Sequence, residues 1–364
     1  MALIAYTKMS AYLPHHEYRA QKTAPAENVD TSDIKRRIKK IFSVETAAIE
    51  IQKVEGGFSN NLWRITTTSG SYIFRSPKKA MDKTLFAHVL TVAKTVFKLG
   101  IGPEVVSEDS ERQEMLLSYV ENSPWPSYEE TAEPYRLTMQ SIRQFHDNMP
   151  LITPKATNYS PFSFISTEGR SLESTHLPSH FSVAIERIGR IFQTLTPWLE
   201  KHATLCHGDF HKGNVLLLKN ENRYKADLID FDSLANGHPF FDVVKLSIAL
   251  SREKRLELLS AYLGHSPPTA QELAHFDLLD LAFLMVVAVV RFKSAINAQS
   301  ALQPGMSQPE LEQILDSPEP LPSFLSVTFK DTSPEARQKG ALYALSEFLK
   351  KTNEPAFSTL LNTV

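Results

Sequence analysis

Apolar positions recur along this chain at two different periods, and the switches between them mark its organisation. Ile34, Ile38, Ile41 and Phe42 return at helical spacing behind an N-cap at Asp30 or Thr31. Lys35, Arg36, Arg37, Lys39 and Lys40 fill the opposite face, which reads as a solvated helix surface. Residues 49–54 then alternate like a half-buried strand, 62–65 resume the pattern, and 71–75 repeat it after a Ser69-Gly70 turn. The period lengthens over 84–99, where Leu85, Phe86, Val89, Leu90, Val92, Ala93, Val96 and Phe97 mark one face and Gly100 ends the helix. Residues 114–121 read as an apolar strand. Beyond them helical spacing dominates, over 135–149, 181–201, 243–263, 271–298 and 336–350, the last with Pro334 near its start. The pattern predicts an α+β protein whose strands lie early and whose helices lie late.

Two kinds of segment escape this periodicity. Residues 1–29 are predicted to be an irregular arm, with His15 and His16 facing solvent. Residues 150–179 and 303–333 are rich in Pro and Ser. A structureless stretch as long as the first is unusual inside a compact domain, and it is expected to be a lid or a substrate-side insertion.

Composition narrows the function classes. The 364 residues suit one large domain or two smaller ones, and a hydrophobic share of 42% with 10% aromatics supplies a core. A formal charge of -2 gives no reason to expect a nucleic-acid or membrane partner. The single cysteine, Cys206, excludes an intramolecular disulfide and fits a reducing compartment. Set in an apolar stretch, it reads as buried filler and not as a nucleophile. The N-terminal stretch has no basic segment followed by a sustained apolar run. The longest apolar run, 281–290 between Asp280 and Arg291, is too short to span a bilayer. A cytoplasmic monomer or homodimer is expected.

The chemistry concentrates in residues 205–232. A polar turn over 219–225 joins the apolar runs 215–218 and 228–229, the pattern of a hairpin. One end of that hairpin would carry His207, Asp209 and Asn214 before its first strand, and Asp230 and Asp232 after its second. Carboxylate and amide oxygens without thiols suit a hard cation such as Mg²⁺, which in enzymes usually bridges to substrate phosphates. His207-Gly208-Asp209 is followed by four residues and Asn214, and later by Asp230-Phe231-Asp232. Protein kinases space a catalytic Asp and two Mg²⁺ ligands in this way.

The wording Gly208-Asp209-Phe210-His211-Lys212-Gly213-Asn214 resembles the aminoglycoside phosphotransferase and choline kinase superfamily. So does a second Asp downstream, matched by Asp242 in Pro-Phe-Phe-Asp-Val-Val. The resemblance implies a bilobal protein-kinase-like fold, with a small antiparallel-sheet N-lobe over 30–117, a hinge over 118–122 and a mainly helical C-lobe over 123–364. ATP would lie between the lobes. It implies Asp209 as base, Asn214 and Asp230 on Mg²⁺, Asp242 as a buttress of the loop, and Asp232, His207 and His211 as substrate-side or supporting groups. The turn Gly56-Gly57-Phe58-Ser59-Asn60-Asn61 matches the family's phosphate loop, so Gly57, Ser59 and Asn60 are expected at the phosphates. Arg75 replaces the usual strand lysine and can clamp two phosphate oxygens. Backbone groups of Ser118 to Val120 are expected at adenine. One departure stands out: the helix should carry a Glu to pair with the strand cation, yet none occurs between Glu55 and Glu104. Asp82 or His88 is the candidate substitute, unless phosphates alone hold Arg75.

The family's acceptors imply a small-molecule alcohol: an aminoglycoside, an amino alcohol or a sugar. Choline or ethanolamine is one specific alternative, although a quaternary amine needs an aromatic cage and no Trp follows Trp198. A nucleotide-binding pseudokinase with a regulatory role is the other. Protein substrates are disfavoured, since no Ala-Pro-Glu segment is present.

Overall fold

The early strands assemble into one antiparallel sheet of five, ordered β1-β2-β3-β5-β4. They are β1 (Glu50–Val54), β2 (Asn60–Thr67), β3 (Gly70–Pro77), β4 (Val105–Asp109) and β5 (Glu114–Ser118). The chain is described from a computed structural model, which covers residues 31–54, 59–152, 161–169, 172, 180–221, 223–248, 250–299 and 333–364. The arm at 1–29, Gly57, most of 150–179 and the 303–332 connection lie outside the described residues. The described chain divides into two compact units. One holds the residues up to Phe145 with Lys212–Ser233, and the other holds His146–His211 with Leu234–Val364.

In the first unit, α1 (Thr31–Phe42) closes one face of the sheet. Its Ile34 and Ile38 pack with Ile49, Trp63, Ile65, Phe74 and Leu116, each of them buried. A fully buried Ile contributes about 2 kcal/mol through area removed from water. The basic face of α1 is not wholly solvated, as the sequence suggested. Arg37 turns back over the sheet, bonds Glu114 and lies 5.1 Å from the centre of the Phe74 ring. α2 (Lys83–Lys98) buries Phe86, Val89, Val92, Ala93 and Val96. Asp82 caps its start by accepting from the Thr84 and Leu85 amides. Gly100, at φ +74°, lets the chain leave the helix in the left-handed region. A Cβ on Gly102 would lie 2.6 Å from Val96 Cγ2 and 3.2 Å from the Leu228 carbonyl, so only glycine permits this approach. The neighbouring Leu228 N–H to Ile101 C=O bond, 2.7 Å, ties the turn to a hairpin strand.

The hairpin itself, β7 (Val215–Asn220) and β8 (Arg223–Leu228), belongs to this unit. Its turn is tighter than the predicted 219–225, because Lys219 pairs with Tyr224 and Asn220 with Arg223 inside the ladder. Glu221 adopts φ +49°, the left-handed conformation that a two-residue hairpin turn demands. Ser141 on α3 (Glu133–Asn148) bonds the Ala226 carbonyl, and Phe145 stacks on Phe231 at 5.8 Å.

In the second unit, β6 (Thr204–Cys206) pairs with β9 (Ala235–Gly237). The helices are α4 (His180–Lys201), α5 (Phe240–Ser247), α6 (Arg252–Leu263), α7 (Ala270–Gln299), α8 (Pro334–Asn353) and α9 (Pro355–Thr363). The single helix predicted over 243–263 is two. Leu250 N–H reaches back to the Ser247 carbonyl, and Ser251, extended at ψ 157°, starts α6 afresh. Ala270–Ile296 is long and apolar enough to cross a membrane, but 89% of that window is buried inside the protein, so α7 is a core helix.

Candidate active site

The hairpin brings two predicted ligands to one end. Asn214, buried, precedes β7, and Asp230, exposed, follows β8. A 3.0 Å bond from the Ile229 N–H to the Asn214 carbonyl closes that end. Asp230 itself sits at φ +65°. A non-glycine residue in that region stores strain of order 1 kcal/mol or more, and such outliers gather at functional sites. An amide oxygen and a carboxylate on adjacent strand ends are a donor set that suits Mg²⁺ and not a soft metal.

Beside them lies the strand cation. Arg75 on β3 and Asn60 on β2 both reach Asp232: Arg75 Nη2 forms an ion pair with Oδ1, and Asn60 Nδ2 donates to Oδ2 at 2.8 Å. Both Arg75 and Asn60 are buried. The partner that no helix glutamate supplies therefore comes from the loop after β8. Asp82, one of the two candidate substitutes beside His88, is occupied at the cap of α2. Arg75 Nη1 and Asn60 Oδ1 are buried with no hydrogen-bond partner among the described residues. Such atoms are costly to leave unpaired, and a phosphate oxygen on Nη1 would satisfy one of them.

The loop carrying Asp209 is built in the second unit. Gly208 adopts φ +79°. Asp242, fully buried on α5, accepts the His207 N–H at 2.8 Å and the Gly208 N–H at 3.1 Å. His146 Nε2 contacts Asp242 Oδ2 at 3.0 Å, and its Nδ1 meets the Tyr262 hydroxyl at 3.0 Å, so a three-residue relay fixes the buttress. Burial raises the Asp242 carboxyl, but His146, His207 and Lys245 outweigh it and hold Asp242 below its ordinary value. Asp209 is balanced in the same way. Burial pushes it up, while His211, whose Nε2 lies 3.5 Å from Oδ2, together with Lys245 and His207 holds it well below the usual carboxylate range. His207 is buried, and its ring packs 5.8 Å from that of Phe210. Burial raises the Cys206 thiol far above its ordinary value, so this cysteine is no nucleophile.

Lys212 belongs to the first unit and occupies an aromatic pocket. Its ammonium donates to the Tyr135 hydroxyl at 2.6 Å and lies 4.4 Å from the Tyr135 ring centre and 5.5 Å from that of Trp125. Burial pulls it down to about 8. Ser118 ends β5. Its N–H donates to the Glu104 carbonyl and its hydroxyl accepts the Glu104 N–H. Its own carbonyl and the Val120 N–H fall at the exit of the strand. Ser59 immediately precedes β2, and its carbonyl accepts the Lys78 N–H at 2.9 Å.

Sequence reasoning missed two features. The Arg75–Asp232 pair spans 157 residues, and no local pattern signals it. Lys245 had a signal: a lone cation in the apolar run after Asp242, one helical turn on.

The model of a phosphotransferase enzyme family matches residues 50–276. No curated protein matches the chain by sequence. Among solved structures, a choline/ethanolamine kinase family protein from Mesorhizobium loti aligns with a TM-score of 0.63 and 18% identity, over 92% of this chain and 98% of that one. Choline kinase from Cryptosporidium parvum aligns at 0.60 and 12%, over 91% and 98%. The streptomycin–ATP–APH(2″)-IIa ternary complex aligns at 0.51 and 15%, over 72% and 91%. At these identities the likeness is one of fold, the protein-kinase-like fold of small-molecule kinases.

Proposed function

This chain belongs to the phosphotransferase enzyme family, and from that membership we propose that it is an ATP-dependent kinase moving the γ-phosphate to a hydroxyl of a small molecule. The observation that carries this reading is the hairpin end, where Asn214 and the strained Asp230 meet across the Ile229–Asn214 bond. Asn214 and Asp230 would hold Mg²⁺, which supplies neutralising charge at the phosphates.

The remaining roles fall to the chain's own groups. Arg75 Nη1 binds phosphate oxygens while Asp232 holds Nη2, and Gly57, Ser59 and Asn60 complete the phosphate contacts. The backbone of Ser118 and Val120 receives adenine at a hinge over 118–122 between an N-lobe and a C-lobe. Asp209 accepts the acceptor hydroxyl and orients its oxygen. A carboxylate held so far below its usual range is a weak base, so it takes the proton late, as the new oxygen–phosphorus bond forms. His207 and His211 support Asp209, and Asp242 holds the loop. The likeness to kinases of choline and of ethanolamine favours an amino alcohol as acceptor over a sugar.

Two substitutions test the scheme. Asp209→Asn should keep MgATP affinity in calorimetry and lose turnover by about 10³-fold or more. Asp230→Ala should lose both, and unchanged MgATP affinity in that variant would sink the proposal. ATP consumption against choline, ethanolamine, aminoglycosides and sugar alcohols then identifies the acceptor. Tight MgATP binding with no transfer to any of them would leave the nucleotide-binding regulatory module as the better description.

A further inference from the structure

We propose that Lys245 is a positioning residue for Asp209, clamping the Gly208–Asp209 peptide and balancing the charge of the buried carboxylate; this rests on the role given to Asp209 above. The geometry is a two-handed grip from one helix. Asp242 and Lys245 lie three residues apart on α5, hence on one face, and both are buried. Asp242 accepts the Gly208 N–H, and Lys245 Nζ donates to the Gly208 carbonyl. That carbonyl belongs to the peptide plane leading into Asp209, so its direction sets where the Asp209 carboxylate points. Glycine at φ +79° has no side chain to fix this plane, and a hydrogen bond at each end replaces that constraint.

Packing alone gives no reason for a lysine here. The neighbours on α5 are Phe240, Phe241, Val243, Val244 and Leu246, and a methionine would fill the same volume. An ammonium out of water is costly unless opposite charge meets it. Burial lowers the Lys245 ammonium below its ordinary value, and Asp209 and Asp242 both act against that to keep it charged. The ionisable groups around the pair are His207 and His211 on the loop, Cys206 on β6, Asp242 on α5 and His146 on α3.

The test is direct observation of the Asp209 carboxyl by ¹³Cγ-aspartate NMR, assigned with Asp209→Asn. In the unsubstituted protein the signal should stay at its ionised position down to acid unfolding. In Lys245→Met it should titrate within the folded range, displaced upward by roughly two pH units. Phosphate release from MgATP should then decline as pH falls toward that titration, whereas Lys245→Arg should retain the flat profile. An Asp209 that titrates at an ordinary carboxylate value in the unsubstituted protein would overturn the proposal, even if Lys245→Met does not fold. So would a folded Lys245→Met with unchanged signal and profile. A protein with no MgATP affinity would instead sink the kinase reading, and the NMR result would still stand on its own.

Discussion

Asp230 and Asp232 stand two positions apart on one loop and do different work. Asp230 is exposed and strained, while Asp232 is turned inward between Arg75 and Asn60. The second carboxylate replaces a helix-borne partner, so the arginine proposed to bind phosphate is held by the same loop that carries a proposed metal ligand. Asp232→Asn should therefore weaken MgATP binding about tenfold, and it should also destabilise the fold, because a buried guanidinium loses its counter-charge. Asp82→Ala is the contrast. It removes only a helix cap, so unfolding should become easier by about 1 kcal/mol while MgATP affinity stays unchanged. Calorimetric titration alongside urea denaturation separates the two. Equal loss of affinity in both variants would mean that Asp82 supports Arg75 after all.

The β7–β8 hairpin works because its far side is docked on the end of α2. Gly102 allows the close approach, and the Leu228–Ile101 bond fastens it. Gly102→Ala would press a methyl group into Val96, a stiff β-branched side chain, and against a backbone carbonyl. A loss of about 1–3 kcal/mol in denaturant unfolding is the expected result, and unaltered stability would show that the turn can shift away. These elements also mark what a sequence can reveal. The hairpin, the long amphipathic helices and the spacing of His207, Asp209, Asn214 and Asp230 were legible, because each is set by local period or short motif. β4 was not: Val105–Asp109 is short, half polar and interrupted by an irregularity between Val105 and Ser107. The break between α5 and α6 was hidden because the apolar spacing runs on through it. The Arg75–Asp232 and Lys245–Gly208 contacts join distant stretches, and only the tertiary fold brings them together.

At the scale of the whole molecule, the buried histidines around Trp198 and the carboxylates of Asp209 and Asp242 push stability in one direction with pH. In the second unit Trp198 stacks on His275 at 3.6 Å and lies tilted against His238 at 3.6 Å, with Phe240 edge-on at 5.7 Å. Burial lowers His275 to about 4 and His238 well below its ordinary value, with the neighbouring His202 adding repulsion. His275 Nε2 is buried without a hydrogen-bond partner among the described residues, so a proton there would be doubly unfavourable. Between pH 6.5 and about 4 the unfolded chain binds protons on these histidines that the folded chain refuses, so stability must fall as pH falls through that window. Asp209 and Asp242, held below their ordinary value, add a second loss below about pH 4 with the same sign. Scanning calorimetry from pH 7.5 to 4.5 should accordingly show a steadily decreasing Tm. His275→Phe keeps the stack and removes one titrating group, so its Tm should decline less steeply over the same interval. An equally steep decline in that variant would assign the acid sensitivity to His238. A flat Tm in the unsubstituted protein would mean that these histidines already carry their protons when the chain is folded.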